Sequence, residues 1–316
     1  MTRPVSVVIP SLDDLDLFER HLPALLAELE RRAARDEVLV VDDTGRDLLA
    51  AALRARWPAV RVLAMPRNRG FARAMTAGIE AARHELVFAM NPDVLVRRGF
   101  LDPLVACISE EDVWAVVPRI LLGGDEQKVE SWAFLRERNG VLELDQPSLR
   151  STADARALRL APVAFAVGGA CLYRRADFLA TGFDPLYEPF YWEDIDWSWV
   201  GWRNGKRILY QPAAVVEHQH RGTIGRRVPK DFVRAMVERN RLLFNWKHID
   251  APELQRRHLA ALYRQALDAY LEDRREDLLW LSFALERLQA ALAARAELPV
   301  ARRNVLEILR ASRPPE

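Results

Sequence analysis

Four short apolar runs, largely β-branched and each followed by a longer amphipathic stretch, restrict the first third of this chain to an alternating α/β fold. The runs are VSVVI at 5–9, EVLVV at 37–41, VRVLA at 60–64 and ELVFAM at 85–90. Near-continuous apolar character marks strands covered on both faces, as in a buried parallel sheet. Between the first two runs, Phe18, Leu22, Leu25, Leu26 and Leu29 recur at three- and four-residue steps and predict a helix with one apolar stripe. Residues 71–82 and 100–109 have the same character. Strict alternation implies right-handed crossovers, with ligands bound beyond the carboxyl ends of the strands.

Those ends carry polar groups. Pro10 and Ser11 follow the first run, Asp42 and Asp43 the second, Arg67, Asn68 and Gly70 the third, and Asn91, Pro92 and Asp93 the fourth. One shared crevice is therefore expected. From Arg119 to Leu160 the pattern weakens, and this stretch reads as an excursion flanking the site. Order returns with VAFAVGGACLYRR at 163–175, the aromatic-acidic FYWEDIDWSWVGW at 190–202 and a strand-like RILY at 207–210. From Lys230 onward the chain reads as helical, with Leu254, Leu262, Leu267 and Leu271 on one stripe and Leu278, Leu281, Leu285, Leu288 and Leu292 on another. The expected organisation is a domain over 1–250 and a helical extension over 251–316.

Composition removes several functional classes. With 316 residues a full core is available without disulfides or a structural metal. Lys and Arg number 46 against 45 Asp and Glu, so no excess of positive charge marks a nucleic-acid-coating protein. Cys107 and Cys171 lack metal-ligand or redox spacing and read as buried free thiols. Met1 leads almost directly into a strand-like run without a secretory core. The longest uncharged stretch, 160–173, is too short to span a membrane. A cytoplasmic location is expected.

The chemistry-bearing residues each admit a plain structural reading as well. Asp43, at a strand end, suits the imide of a pyrimidine or a ribose hydroxyl, and equally an N-cap. Pro92 biases Asn91 toward extended geometry, so Asp93 can project into the crevice, although Asn-Pro-Asp is also turn chemistry. A single carboxylate there suits a hard divalent cation that takes its other ligands from substrate phosphates. Glu193, Asp194 and Asp196 sit among Trp192, Trp197, Trp199 and Trp202. Desolvation would make such a carboxylate a stronger base, and the indoles offer platforms for sugar rings. The alternative is a helix N-terminus with core tryptophans. His218 or His220 could complete a metal shell, with Arg221, Arg226 and Arg227 balancing a diphosphate. Gly168 and Gly169 permit close approach of backbone to a substrate. No Gly-x-Gly-x-x-Gly, Walker loop or Gly-x-Ser-x-Gly elbow is present.

In order along the chain, VSVVIPS, VVDD, RNRGFARAMTAGIEAA, FAMNPDV, VGGACLYRR, the stretch from GFDPLYEPFYWEDIDW to VVEHQH, and RNRLLFNWKH resemble the successive motifs of the family 2 glycosyltransferases, in particular the rhamnosyltransferase-like branch. No single motif is specific, whereas their ordered succession over about residues 5 to 248 is. The resemblance implies a GT-A fold, with a mostly parallel sheet flanked by helices, a nucleotide-diphosphate-sugar donor, a divalent metal (Mg or Mn) and inversion at the anomeric carbon. It places Pro10, Ser11, Asp43, Asn68, Gly70, Asn91 and Asp93 at the donor, and Gly169, Trp192 and Glu193 at the acceptor. Asp93 and His218 would hold the metal, and Asp194 would be the general base. Asn91 replaces the first acid of the family's Asp-x-Asp element, and VVDD continues as TGRD where the family usually carries Asn/Gly-Ser.

Expected partners are a nucleotide sugar and a glycan or lipid-linked acceptor, without nucleic acid. L-rhamnose from a dTDP-sugar, or another sugar from a UDP-sugar, would extend a surface glycan or glycolipid. The helical tail would rest on the inner membrane face, pack on the catalytic domain or join a second copy. A non-catalytic nucleotide-sugar or glycan-binding factor is the rival from another class, and retention of Asp93 and Asp194 speaks against it. A sugar-1-phosphate nucleotidyltransferase would need a glycine-rich basic loop where this chain has Pro10, Ser11 and Leu12.

Overall fold

In the computed structural model, which describes residues 3–147, 159–219 and 228–313, the predicted alternation is realised. It runs β1 (Val5–Ser11), α1 (Leu15–Arg32), β2 (Glu37–Asp42), α2 (Asp47–Arg56), β3 (Arg61–Ala64), α3 (Phe71–Ala81) and β4 (Leu86–Met90). β1 pairs in parallel with β2 and β4, and β2 with β3. All seven residues of β1 are buried, which explains why its run shows no polar alternation. Helix α1 lays Phe18, Leu22, Leu25 and Leu29 against the core.

Helix α3 approaches the opposite face so closely that Gly78 has no room for a side chain. A Cβ there would collide with Val8 Cγ1 and lie 2.7 Å from Val41 Cγ2. Gly78→Ala is therefore expected to destabilise the protein by about 1–3 kcal/mol through overpacking. Denaturant unfolding checks this, and unchanged stability would mean that the two valines yield without cost.

The sheet continues past β4. The next elements are β5 (Val94–Val96), α4 (Leu101–Cys107), β6 (Val113–Leu122), β7 (Asp125–Val129), β8 (Phe134–Arg138), β9 (Val141–Asp145), β10 (Ala161–Pro162), β11 (Ala170–Arg174), α5 (Arg175–Thr181), α6 (Glu193–Arg203) and β12 (Arg207–His218). Strand order is β10-β12-β6-β11-β4-β1-β2-β3, with β5 added on β12 and β7 on β6. β6 and β12 are parallel, and β11 runs against both of its neighbours. A separate hairpin joins β8 to β9.

Two corrections to the sequence reading follow. The supposed excursion from Arg119 begins inside β6, a central strand; Pro118 and Arg119 interrupt its apolar run and hide it. Opposite them β12 shifts register between Gln211 and Val215, so the irregularity takes up a residue that cannot donate to the ladder. RILY is then only the first third of a twelve-residue strand that carries His218 at its end.

The C-terminal residues form α7 (Lys230–His248), α8 (Pro252–Leu271), α9 (Leu279–Leu285), α10 (Leu288–Ala296) and α11 (Val305–Ala311). Trp280, Ala284, Ala291, Val305 and Ile308 join the same apolar core as α6, α7 and one face of the sheet. The predicted leucine stripes mark this packing face only in part. Leu254 is buried and Leu262 and Leu281 pack against the core, but Leu267, Leu271, Leu285 and Leu292 are exposed, and Ala269, Ala284 and Ala291 are buried instead. Among the described residues no helix is long and apolar enough to cross a membrane. Cys107 and Cys171 are free and buried.

Candidate functional site

The turn after β4 and the end of β12 meet at Asp93 and His218. His218 Nε2 lies 3.2 Å from Asp93 Oδ1, and its Nδ1 lies 2.7 Å from Glu130 Oε2. Asp93 is 4% exposed and His218 8%. Burial alone would depress the imidazole pKa, but the two flanking carboxylates raise it to about 10. The backbone N–H of Gln219 donates to the Asp93 carbonyl, which ties the strand end to the turn. Among the described residues no cluster of three or more His, Cys, Asp or Glu side chains converges on one point. Asp93 and His218 thus offer one oxygen and one nitrogen, a set that fits a cation only if substrate and water supply the rest.

Asp194 stands in the first turn of α6, where the helix dipole favours negative charge. Its Oδ2 accepts from Gly168 N–H at 2.8 Å and its Oδ1 from Ile195 N–H at 2.9 Å. Gly168 packs closely on this acid, since a Cβ there would sit 3.2 Å from Asp194 Cβ, tighter than ordinary contact. Next to it, Gly169 accepts Asn91 N–H at 2.8 Å, and a Cβ on Gly169 would lie 2.9 Å from Asn91 Cγ. The Gly168–Gly169 pair therefore joins the β4 turn to the acids of α6. Glu193 is 7% exposed, and its Oε2 has no hydrogen-bond partner among the described residues. Burial holds both carboxyls above the ordinary carboxylate range, Glu193 further because of the neighbouring Asp194 charge. Asp196 differs: it is spent on Tyr187 Oη, Lys247 Nζ and His248 Nε2.

On the other flank, Asp43 binds the loop between β3 and α3. Its two oxygens accept from Arg69 N–H and Gly70 N–H, each at 2.8 Å. It is not an N-cap of α2; the adjacent Asp42 accepts instead from Thr44 and Ala50. Ser11 Oγ donates to Asp14 at 2.9 Å, and Pro10 is buried within β1. Asn68 accepts from Gly70 N–H and, with Arg67, Arg69 and Arg73, lines an open cleft of about 380 Å³. Arg73 Nε reaches Glu188 Oε1 at 2.6 Å, so the first turn of α3 is linked to the segment preceding the acids.

One expectation is corrected. Trp192 is 2% exposed and packs on Phe244 with ring centroids 5.1 Å apart, so its face is not open to a sugar ring. The chain turns through left-handed conformations at Tyr191 (φ 69°) and Trp192 (φ 77°), which costs a non-glycine residue energy and is typical of functional sites. The ring left exposed is Tyr191, at 41%. Trp197, Trp199 and Trp202 are buried, so the tryptophans are core while the acids begin a helix. His220, Arg221, Arg226 and Arg227 lie outside the described residues. Glu130 escaped the sequence reading because it sits in the weakly patterned stretch after β7.

Comparison with known proteins adds three findings. Residues 6–180 match the family profile described as glycosyl transferase family 2. The chain is 29% identical over 227 residues to the pre-mycofactocin glycosyltransferase of Mycobacterium tuberculosis strain H37Rv, covering 69% of this chain and 43% of that protein. It therefore spans less than half the length of that relative. A crystal structure of GalNAc-T7 with UDP, GalNAc and Mn2+ superposes with a TM-score of 0.64 at 19% identity, over 96% of this chain and 59% of the other. The mannosyltransferase PcManGT from Pyrobaculum calidifontis, in complex with GDP-Man and Mn2+, gives 0.52 at 18% identity, over 94% and 86%. At such identities the likeness concerns the fold, a GT-A-like α/β arrangement with a mostly parallel sheet.

Proposed function

The chain belongs to glycosyl transferase family 2, and from that premise we propose that it is a metal-dependent, inverting glycosyltransferase with Asp194 as general base. A UDP- or dTDP-sugar, with L-rhamnose among the candidate sugars, is the proposed donor, and a glycan or glycolipid the acceptor. The observation that carries this reading is a half-buried carboxylate at a helix start, oriented by Gly168 N–H and joined through Gly169 and Asn91 to the Asp93–His218 pair. Solved neighbours that hold UDP or GDP-Man with Mn2+ support it.

In the proposed reaction an Asp194 carboxylate oxygen takes the proton of an acceptor hydroxyl. That oxygen forms the new bond to the anomeric carbon as the bond to the nucleoside diphosphate breaks on the opposite face. A single displacement of this kind inverts configuration. The raised proton affinity of Asp194 suits it to the task, since a carboxylate at its ordinary pKa is a weaker base. Glu193, whose Oε2 has no hydrogen-bond partner among the described residues, would orient the acceptor hydroxyl. Asp43, which accepts from Arg69 and Gly70 N–H, would hold the donor loop, with Asn68 and Gly70 against the nucleotide and ribose.

Asp93 and His218 would hold the divalent cation, which when bound offsets charge developing on the leaving diphosphate. An imidazole ligand inclines the choice toward Mn2+ over Mg2+. Glu130, bonded to Nδ1, fixes the ring so that Nε2 faces Asp93. Asp93→Ala is expected to abolish metal-dependent binding of UDP or dTDP in calorimetric titration. An unchanged metal dependence would remove Asp93 from this role.

A further inference from the structure

The RNRLLFNWKH stretch of α7 contains donors that the reaction does not use directly. Asn240 is fully buried, and its Nδ2 lies 2.7 Å from the Tyr187 carbonyl, 2.9 Å from that of Phe190 and 2.8 Å from that of Tyr191. Two N–H groups are thus shared by three carbonyls of the segment that ends at the acids. Arg239 donates from Nη2 to the Glu188 carbonyl, and from Nε and Nη2 to Asn240 Oδ1. It is 6% exposed and has no carboxylate within ion-pair distance among the described residues. From the start of α10, Arg287 Nη1 reaches the Pro185 and Leu186 carbonyls.

The same helix also holds the other side of the base. Lys247 Nζ and His248 Nε2 bind Asp196, two residues beyond Asp194, at 2.8 and 2.6 Å. Asn240, Lys247 and His248 are spaced by two helical turns and so share one face of α7. Asp194 is bracketed: the backbone before it hangs from Arg239 and Asn240, and the side chain after it from Lys247 and His248. The bracketed backbone includes the left-handed pair Tyr191 and Trp192, a conformation that needs external support to persist. A buried guanidinium without a counter-ion is costly in itself. Here Nη2 holds the Glu188 carbonyl, and Nε and Nη2 together hold the Asn240 side chain that binds the rest of that backbone.

We propose that Arg239 and Asn240, backed by Arg287 from the C-terminal helices, are positioning residues that set the Asp194 carboxylate in its catalytic place. The proposal rests on the reading of Asp194 as general base. It follows that the helices after residue 251 complete the active site rather than merely extending the chain. Misplacement of a reacting group by about 1 Å costs on the order of 10²-fold in rate.

The test uses the full chain with Mn2+ and UDP-galactose, UDP-N-acetylglucosamine, dTDP-rhamnose and GDP-mannose, with water serving as acceptor and nucleotide release as readout. Asn240→Asp keeps an acceptor for Arg239 but removes the donors to the three carbonyls. Its kcat is expected to fall by about 10²-fold while KM for the donor stays put. Arg287→Ala should lower kcat less, and Arg287→Lys, which retains a donor, should restore it. Amide hydrogen exchange over 187–195 should speed up in Asn240→Asp, a readout that needs no turnover and no known acceptor. Wild-type kcat in folded Asn240→Asp, a parallel collapse of donor affinity, or unchanged exchange would overturn the proposal. If Asn240→Asp fails to fold, the Arg287 pair decides by the same kcat split. Asp194→Asn is measured alongside. Full activity there sinks the base itself, whereas an inactive Asp194→Asn beside fully active Asn240→Asp sinks only the positioning role.

Discussion

Asp194→Asn is expected to lower kcat by about 10²- to 10⁴-fold and to leave donor affinity intact. The amide keeps the shape of the carboxyl, but its single oxygen can accept from only one of the Gly168 and Ile195 N–H groups, which Asp194 binds with different oxygens. The capacity to take a proton is thus lost together with one of these two hydrogen bonds. The pH dependence follows from the same group. Burial raises its pKa above the 3.8 of a free aspartate, and the base works only when ionised. The kcat of the wild-type protein should therefore fall as pH drops, through an apparent pKa above that value. Steady-state kinetics over pH check both statements. A full rate in Asp194→Asn, or a profile flat into the acid range, would assign proton transfer to another group.

The second large effect is structural. Asp196→Ala is expected to destabilise the protein by about 3 kcal/mol, because it leaves buried His248 and Tyr187 without this partner and Lys247 with Asp184 alone. Lys247 is 5% exposed and His248 fully buried, and both give Asp196 a hydrogen bond, as does Tyr187 Oη. Burial works against the Asp196 charge, but Lys247 and His248 outweigh it and bring the carboxyl down to about 2. The folded pKa lies below the 3.8 of a free aspartate, so this contribution is fully present above that value. It is lost as pH falls through about 2. Denaturant unfolding at neutral pH and across this acid window is the check. A loss below about 1 kcal/mol would show that Lys247 and His248 find other partners or water.

Which parts were legible in the sequence has a physical explanation. The alternation from β1 to β4 announces itself because strands buried on both faces must be apolar throughout, and helices on one face must be striped. Asp43, Asp93 and His218 stand at strand ends, and Asp194 at a helix start, where backbone geometry exposes side chains to a crevice. β6 was obscured by Pro118 and Arg119, whose place in a central strand depends on an irregularity in β12 that no local pattern encodes. Glu130 reaches His218 across 88 residues, and Asn240 reaches Tyr187 across 53. Neither partner leaves a trace in periodicity. Trp192 looked like a platform because its inward turn relies on positive φ at two bulky residues, a conformation usually assigned to glycine. The leucines of α8 to α10 show the reverse case: a stripe of which the core uses only Leu254, Leu262 and Leu281, while Leu267, Leu271, Leu285 and Leu292 stay exposed.

Calorimetric titration of the folded protein with UDP, dTDP and GDP, each with and without Mn2+, addresses the central claim most directly. The predicted result is that one nucleotide binds, and binds only when Mn2+ is present. Failure of all three to bind under either condition, or equal affinity with and without the metal, would contradict a metal-dependent nucleotide-sugar site at Asp93 and His218.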